Sequence, residues 1–163
     1  LETFSLINKN DEDWKFWVVG RGDKYYMESL KRKCRELKIS DKVKFWGYVS
    51  EKTKFELLGR AHILVNPSVR EGWGLVNIEA ASSGTPVVGY DVPGVKDSVI
   101  NNKTGFLVEK GNTPGLALNC LELMEDRKKY EEFRKRGVAF SKEFNWGKST
   151  RESLKLIERI CKK

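Results

Sequence analysis

Residues Ile63 to Pro86 constrain the fold more tightly than any other stretch. An apolar run of strand length, Ile63-Leu64-Val65, leads into Pro67-Ser68-Val69-Arg70-Glu71-Gly72-Trp73-Gly74, and Leu75 to Ser83 then reads as a helix that Gly84-Thr85-Pro86 stops. The order is strand, glycine-rich loop, helix N-terminus. A helix start presents unpaired N–H groups and the positive end of the helix dipole. Gly72 and Gly74 let a ligand come close to the backbone. That combination suits a phosphate or diphosphate. Two carboxylates flank the start: Glu71 in the loop, and Glu79 four residues after Leu75, about one turn into the helix. Ionised carboxylates only accept hydrogen bonds, so they call for donors such as sugar hydroxyls. A diphosphate carried between two sugars satisfies the glycines, the helix start and the carboxylates together. The residues taken alone fit a plainer arrangement equally well, with Glu71 favouring the dipole and Glu79 lying on the helix surface.

Strand-like runs alternate with helical stretches along most of the chain. Leu1 to Asn8 reads as the tail of a helix that Asn10-Asp11 breaks. Trp14 to Val19 is a strand, closed by Gly20-Arg21-Gly22-Asp23, and Tyr25 to Leu37 is an amphipathic helix. Val43 to Trp46 is the next strand, followed by Gly47-Tyr48-Val49; Ser50 then caps a helix from Glu51 to Leu58. Pro86 to Tyr90 is a buried strand ending in Asp91-Val92-Pro93-Gly94, and Phe106 to Val108 is the last. Thr113-Pro114 caps a helix running to about Glu125. A charged helix from Asp126 to Lys142 comes next, then a terminal one from Ser149 to Cys161 with Leu154, Ile157 and Cys161 on one stripe. Alternation of this kind predicts an α/β fold: a Rossmann-like parallel sheet with helices on both faces, ending in C-terminal helices. Ligands of such sheets bind at the carboxyl ends of the strands. Gly20, Gly47, the segment from Ser68 to Leu75, and Gly94 all fall there. Gly20-Arg21-Gly22 is a weaker signal by itself, because the third glycine of the dinucleotide fingerprint is missing.

The 163 residues are one domain's worth, and 31 Lys and Arg against 23 Asp and Glu leave a net charge of +8. That charge calls for an anionic partner: a nucleotide diphosphate, an acidic membrane surface or nucleic acid. Nucleic acid is disfavoured, because the aromatics lie mostly in strands and helix stripes. The basic clusters Arg127-Lys128-Lys129, Arg134-Lys135-Arg136 and Lys162-Lys163 are interleaved with or near Glu122, Glu125, Glu131 and Glu132 and read as solvated helical faces. Docking on an anionic membrane is the sharper alternative. Cys34, Cys120 and Cys161 form neither a metal pattern nor a disulfide framework, so a cytoplasmic location is expected. His62 is the one histidine, which disfavours His-rich metal chemistry and a Ser-His-Asp triad. No Gly-Lys-Ser/Thr is present for P-loop phosphoryl transfer, and no apolar run approaches the roughly 18 residues of a membrane span. Leu1 reads as a mid-domain start without a signal peptide. A helix N-terminus favours the ionised form of carboxylates beside it, whereas glycoside hydrolysis needs one carboxyl protonated, so hydrolysis is not the first choice.

Glu71-Gly72-Trp73-Gly74 with Glu79 eight residues after Glu71, the lead-in Asn66-Pro67-Ser68, and the continuation Glu79-Ala80-Ala81-Ser82-Ser83-Gly84-Thr85-Pro86-Val87-Val88 resemble the E-x7-E segment of retaining GT-B glycosyltransferases of the group 1, family 4 type. The resemblance covers nearly all of residues 1–163, as that family's C-terminal, donor-binding domain. It implies transfer of a hexosyl group from a nucleotide diphosphate sugar to a glycan or lipid-linked acceptor. It assigns donor binding to Gly20, Gly22, Gly47, Val49, Ser68, Gly72, Trp73, Gly74, Leu75, Val76, Glu79 and Asp97. Amides at Gly74, Leu75 and Val76 would meet the diphosphate, and Glu79 the ribose hydroxyls. Glu71 would face the donor sugar and stabilise positive character at the anomeric carbon, the catalytic role. No cofactor and no metal is expected, since helix dipole and basic side chains can neutralise the leaving diphosphate.

The chain departs from the family pattern in four places. Asp97 stands where the family usually has Glu, and His62 where it usually has Asp. The strand and Arg/Lys loop that open the family's donor domain have no counterpart, Arg21 not being equivalent. Nor has the N-terminal acceptor domain. The expectation is a single domain, inactive alone, partnered by an acceptor domain in the same or another chain. Peripheral attachment at the inner face of a membrane is the alternative to a purely cytoplasmic place. The rival readings are a non-catalytic nucleotide-sugar-binding module and a sugar-nucleotide epimerase-like domain; the Glu71–Glu79 spacing favours a transferase.

Overall fold

The computed structural model describes residues 1–8 and 13–161. Its elements run α1 (Glu2–Ile7), β1 (Phe16–Val19), α2 (Lys24–Glu36), β2 (Val43–Gly47), α3 (Glu51–Arg60), β3 (Leu64–Asn66), α4 (Leu75–Ser82), β4 (Val87–Tyr90), α5 (Val95–Ser98), β5 (Gly105–Val108), α6 (Thr113–Glu125), α7 (Arg127–Ser141) and α8 (Trp146–Cys161). The expected helix break at Asn10-Asp11 and the basic pair Lys162-Lys163 lie outside the described residues.

Every strand pairing in the ladders is parallel, as alternation with helices requires. Phe16 of β1 lies opposite Val43 of β2. Leu64 of β3 lies opposite Val87 of β4, which lies opposite Gly105 of β5. The expected sheet is present in direction and in helical cover, but its ladders form two groups, β1–β2 and β3–β4–β5. Among the described residues, no strand pairs with the second edge of β1 or of β3.

The core sits on β4, whose four residues are all buried. Val88, Tyr90, Val92 and Val95 pack there with Phe106 of β5, with Leu116, Cys120 and Leu123 of α6, and with Phe133 of α7. A smaller cluster of Phe4, Cys34 and Ile39 lies beside β1 and β2.

Caps obey side-chain chemistry. Ser50 accepts from the Thr53 N–H at 3.2 Å and starts α3, as expected. The cap of α6 is Asn112 rather than Thr113-Pro114: its Oδ1 accepts from the Gly115 N–H at 2.8 Å, and the proline falls inside the first turn. Helix α5 has no counterpart in the sequence expectation, because four residues are too few to show a helical period. Helix α8 begins three residues before the expected Ser149. Its stripe of Leu154, Ile157 and Cys161 is exposed. Among the described residues, no helix is long and apolar enough to cross a membrane.

Candidate functional site

Asn66 ends β3 and organises the loop beyond it. Its Oδ1 accepts from the Ser68 N–H at 3.1 Å, and its Nδ2 donates to Asn77 Oδ1 at 2.9 Å. Asn77 Nδ2 donates to Ser98 Oγ at 2.8 Å. Ser98 Oγ in turn has the carbonyls of Gly94 and Val95 as acceptors, at 2.9 and 3.0 Å. The three side chains are buried, Asn77 completely so at 0% exposure. A satisfied buried network of this kind is rigid. It ties the end of β3, the first turn of α4 and the whole of α5 into one unit.

Two glycines let the loops of that unit touch. Gly74 has φ +65°, and a Cβ there would lie 2.5 Å from Ser98 Oγ and 2.7 Å from Asn77 Nδ2. Gly94 has φ +86°, and a Cβ there would run into the carbonyl of Glu71. The segment Glu71–Gly74 thus packs directly on the loop after β4. Gly74 occupies the N-cap position of α4, and no side chain caps that helix. Its start is therefore left for a ligand or solvent to satisfy. Gly72 is exposed, with nothing within 4 Å of where a Cβ would be.

The two carboxylates differ. Glu71 is half-buried and makes no ion pair among the described residues. Glu79 is also half-buried, and its Oε1 accepts from Lys54 Nζ of α3 at 2.7 Å. Lys54 also meets Glu51 Oε2 at 2.9 Å. Burial pulls the Lys54 ammonium down, but its hydrogen bonds to Glu79 and Glu51 and their charges outweigh that, so its pKa lies above that of an ordinary lysine.

A second cluster forms at the ends of β1 and β2. The Gly20 N–H donates to the Gly47 carbonyl at 2.9 Å, which joins the two loops. Both glycines have positive φ and open space where a Cβ would stand. The Arg21 guanidinium stacks 4.3 Å above the exposed Tyr48 ring, and Val49 is half-buried beside it in sequence. Gly22 differs from the other two, since a Cβ there would lie 2.9 Å from Tyr26 Cδ1. Its absence of a side chain serves the packing of α2.

Of the remaining expected residues, Ser68 is half-buried beside Asn66, and Leu75 and Val76 form the first turn of α4. Trp73 packs on Phe144 after α7, with ring centroids 4.7 Å apart. Asp97 is exposed, and its Oδ2 accepts from the Gly94 N–H at 2.9 Å, closing the start of α5. His62 lies just before β3 with its ring edge-on to Trp14. Among the described residues, no group of three or more His, Cys, Asp or Glu side chains is gathered to hold a metal ion.

Residues 1–140 match the family described as glycosyl transferases group 1. The chain belongs to that family. Over 147 residues it is 27% identical to the poly(glycerol-phosphate) alpha-glucosyltransferase of Bacillus subtilis, covering 89% of this chain and 21% of that protein. Its fold matches GT-B glycosyltransferase structures. Sucrose-phosphate synthase from Thermosynechococcus elongatus superposes with a TM-score of 0.87 at 25% identity, over 98% of this chain and 41% of the synthase. A variant of S. aureus TarM in complex with Fondaparinux, alpha-GlcNAc-glycerol and UDP superposes with a TM-score of 0.78 at 29% identity, over 85% of this chain and 27% of TarM. The chain thus spans less than half the length of each of these proteins.

Three residues of this group 1 glycosyltransferase domain that build the site are absent from the sequence expectation: Asn77, Ser98 and Lys54. Asn77 carries a local signal, being the polar residue in an otherwise apolar first turn of α4. Lys54 carries none, standing 25 residues from Glu79.

Proposed function

We propose that this chain is the donor-binding domain of a retaining, family 4 type glycosyltransferase, moving a hexosyl group from a nucleotide diphosphate sugar to a glycan or lipid-linked acceptor. The carrying observation is the start of α4, uncapped by any side chain and built on a glycine for whose Cβ there is no room, with Glu71 before it and Glu79 one turn in. N–H groups of Gly74, Leu75 and Val76 hold the diphosphate. Glu79 accepts from the ribose hydroxyls. Glu71, without an ionic partner among the described residues, faces the donor sugar and supports positive charge at its anomeric carbon. Gly20, Gly47 and Val49 line the base side. The UDP held by the TarM variant supports a nucleotide of this class. Helix start and basic side chains carry the diphosphate charge in this reading, so EDTA should leave nucleotide binding unchanged. Loss of binding on chelation, restored by Mg2+, would overturn that part.

The two separate ladders support the expectation of a further strand. One strand between β1 and β3 would pair both open edges and make the sheet continuous. Trp14 before β1 and His62 before β3 are in ring contact at 6.2 Å, so the two groups begin side by side. We assign that strand, the phosphate-gripping loop after it and the acceptor domain to sequence outside these 163 residues, in the same or another chain. The chain alone should therefore transfer no sugar, and measurable turnover by the purified chain would sink this. The reading places the protein in the cytoplasm. Half of the six described basic side chains in its clusters are answered within the fold: Arg134 by Glu131 and the Gly84 carbonyl, Arg136 by Glu132, Lys129 by Glu122. That favours a solvated face over docking at an anionic membrane. Flotation with acidic vesicles at low salt tests it, with the chain expected to stay unbound.

The deciding experiment is calorimetric titration with UDP, GDP and ADP and their common sugar conjugates, beside Glu79→Ala. One nucleotide should bind, and the substitution should weaken it by about tenfold or more, the worth of hydrogen bonds to a charged acceptor. Equal binding by Glu79→Ala, or no binding at all, would overturn the reading.

A further inference from the structure

Lys54 holds one oxygen of Glu79, and among the described residues no side chain bonds the other. Its Nζ lies 2.7 Å from Glu79 Oε1 and 2.9 Å from Glu51 Oε2. The Lys54 and Glu79 side chains are 25% and 26% exposed, whereas Glu51 is 80% exposed. The contact is therefore a seam between α3 and α4 that water reaches only in part, unlike the open pairs elsewhere on the helices. An unrestrained glutamate samples many rotamers, and fixing it before a ligand arrives removes that ordering cost from binding. An ionised carboxylate offers about four acceptor sites. One taken by the ammonium leaves enough for the two hydroxyls of a ribose.

We propose that Lys54 is a positioning residue, which presents the Glu79 carboxylate in the orientation that receives the 2′- and 3′-hydroxyls of a nucleoside diphosphate. The inference rests on the donor-binding reading and adds a residue that the E-x7-E segment does not contain. Lys54 does not touch the nucleotide and acts through Glu79. Glu51 completes the clamp from α3 itself, three residues before Lys54. A lysine that merely joined two helices would add stability and be indifferent to which hydroxyls the ligand carries.

The test compares UDP, 2′-deoxy-UDP and 3′-deoxy-UDP on the unaltered protein and on Lys54→Met, Lys54→Arg and Glu79→Gln, with thermal melting of each variant. In the unaltered protein, loss of either hydroxyl should weaken binding by about tenfold. Lys54→Met should bind UDP more weakly and shrink that hydroxyl penalty to about twofold, and Lys54→Arg should restore it. A Lys54→Met protein that weakens all three ligands by one common factor, or none of them, overturns the positioning role. Lys54→Gln, which keeps a donor, serves as the second variant and should fall between Met and Arg. If Glu79→Gln abolishes the penalty while Lys54→Met keeps it, only the role of Lys54 fails. If the unaltered protein shows no penalty, the ribose role of Glu79 fails, and the role of Lys54 with it.

Discussion

Gly74 shows how one residue can carry a site. Its φ of +65° is the left-handed region that side chains resist, and the space where a Cβ would stand is filled by Ser98 Oγ and Asn77 Nδ2. Gly74→Ala should therefore strain the backbone and part the Asn77–Ser98 bond together, lowering stability by about 2–4 kcal/mol in urea unfolding. Gly72→Ala, with open space around it, should cost well under that and act only on ligand approach. Cys120 makes a different residue-scale prediction. It is 1% exposed, and burial pushes its thiol from the ordinary 9.0 up to about 12. Well below pH 9 the thiol is neutral in folded and unfolded chains alike, so it contributes no pH dependence there. Between pH 9 and about 12 the unfolded chain ionises while the folded one keeps its proton. The unfolded state then binds fewer protons, and stability falls as pH rises, by at most about 1.4 kcal/mol per unit. Cys120→Ala should lose that slope relative to the unaltered protein, and urea midpoints taken across the window would show it. A fast thiol reagent should reach the exposed Cys161 long before Cys120.

At the scale of elements, the loop between β3 and α4 is fastened at both ends. The Asn66–Asn77–Ser98 network holds it inside, and Trp73 reaches out to Phe144, which packs in turn on Phe140 at 4.9 Å. Phe144→Ala should free Trp73 and cost about 1–2 kcal/mol. Hydrogen exchange of the amides from Glu71 to Leu75 should quicken while that of β4 stays as it was. The strand–loop–helix order of this segment is legible in the sequence, because glycines, the apolar run and the helix stop are local signals. So are the order of the elements and the cap at Ser50, for the same reason. The illegible part depends on residues far apart along the chain. The contact of Trp73 with Phe144, 71 positions on, has no local signal. Glu79 reads as unaccompanied until α3 brings Lys54 alongside. The bond by which Asp97 closes the first turn of α5 is hidden too, because that helix is too short to show a period.

The whole molecule has two parts of unequal depth. The β3–β4–β5 ladder carries a core of eleven buried residues drawn from six elements and the loop after β4. Two of them, Val88 and Tyr90, lie in β4, whose four residues are all buried. The β1–β2 ladder rests on three, Phe4, Cys34 and Ile39, and every residue of β1 keeps some exposure. Its second edge has no ladder partner among the described residues, nor has that of β3. A two-stranded ladder is marginal without packing against other elements, and here that packing is thin. Opening it should therefore cost less than global unfolding. Amides of β1 and β2 should exchange earlier in urea than those of β4, and the fluorescence of Trp17, which packs on Trp46 across this ladder at 6.0 Å, should change before far-ultraviolet ellipticity does. Coincident transitions for both probes would show one cooperative unit and contradict this. The same experiment bears on function. Gly20, Gly47 and Val49 belong to the weak part, while Glu71, Gly74 and Glu79 belong to the strong one. A nucleotide that spans both should move the early transition to higher urea, whereas one that touches only the start of α4 would leave it in place.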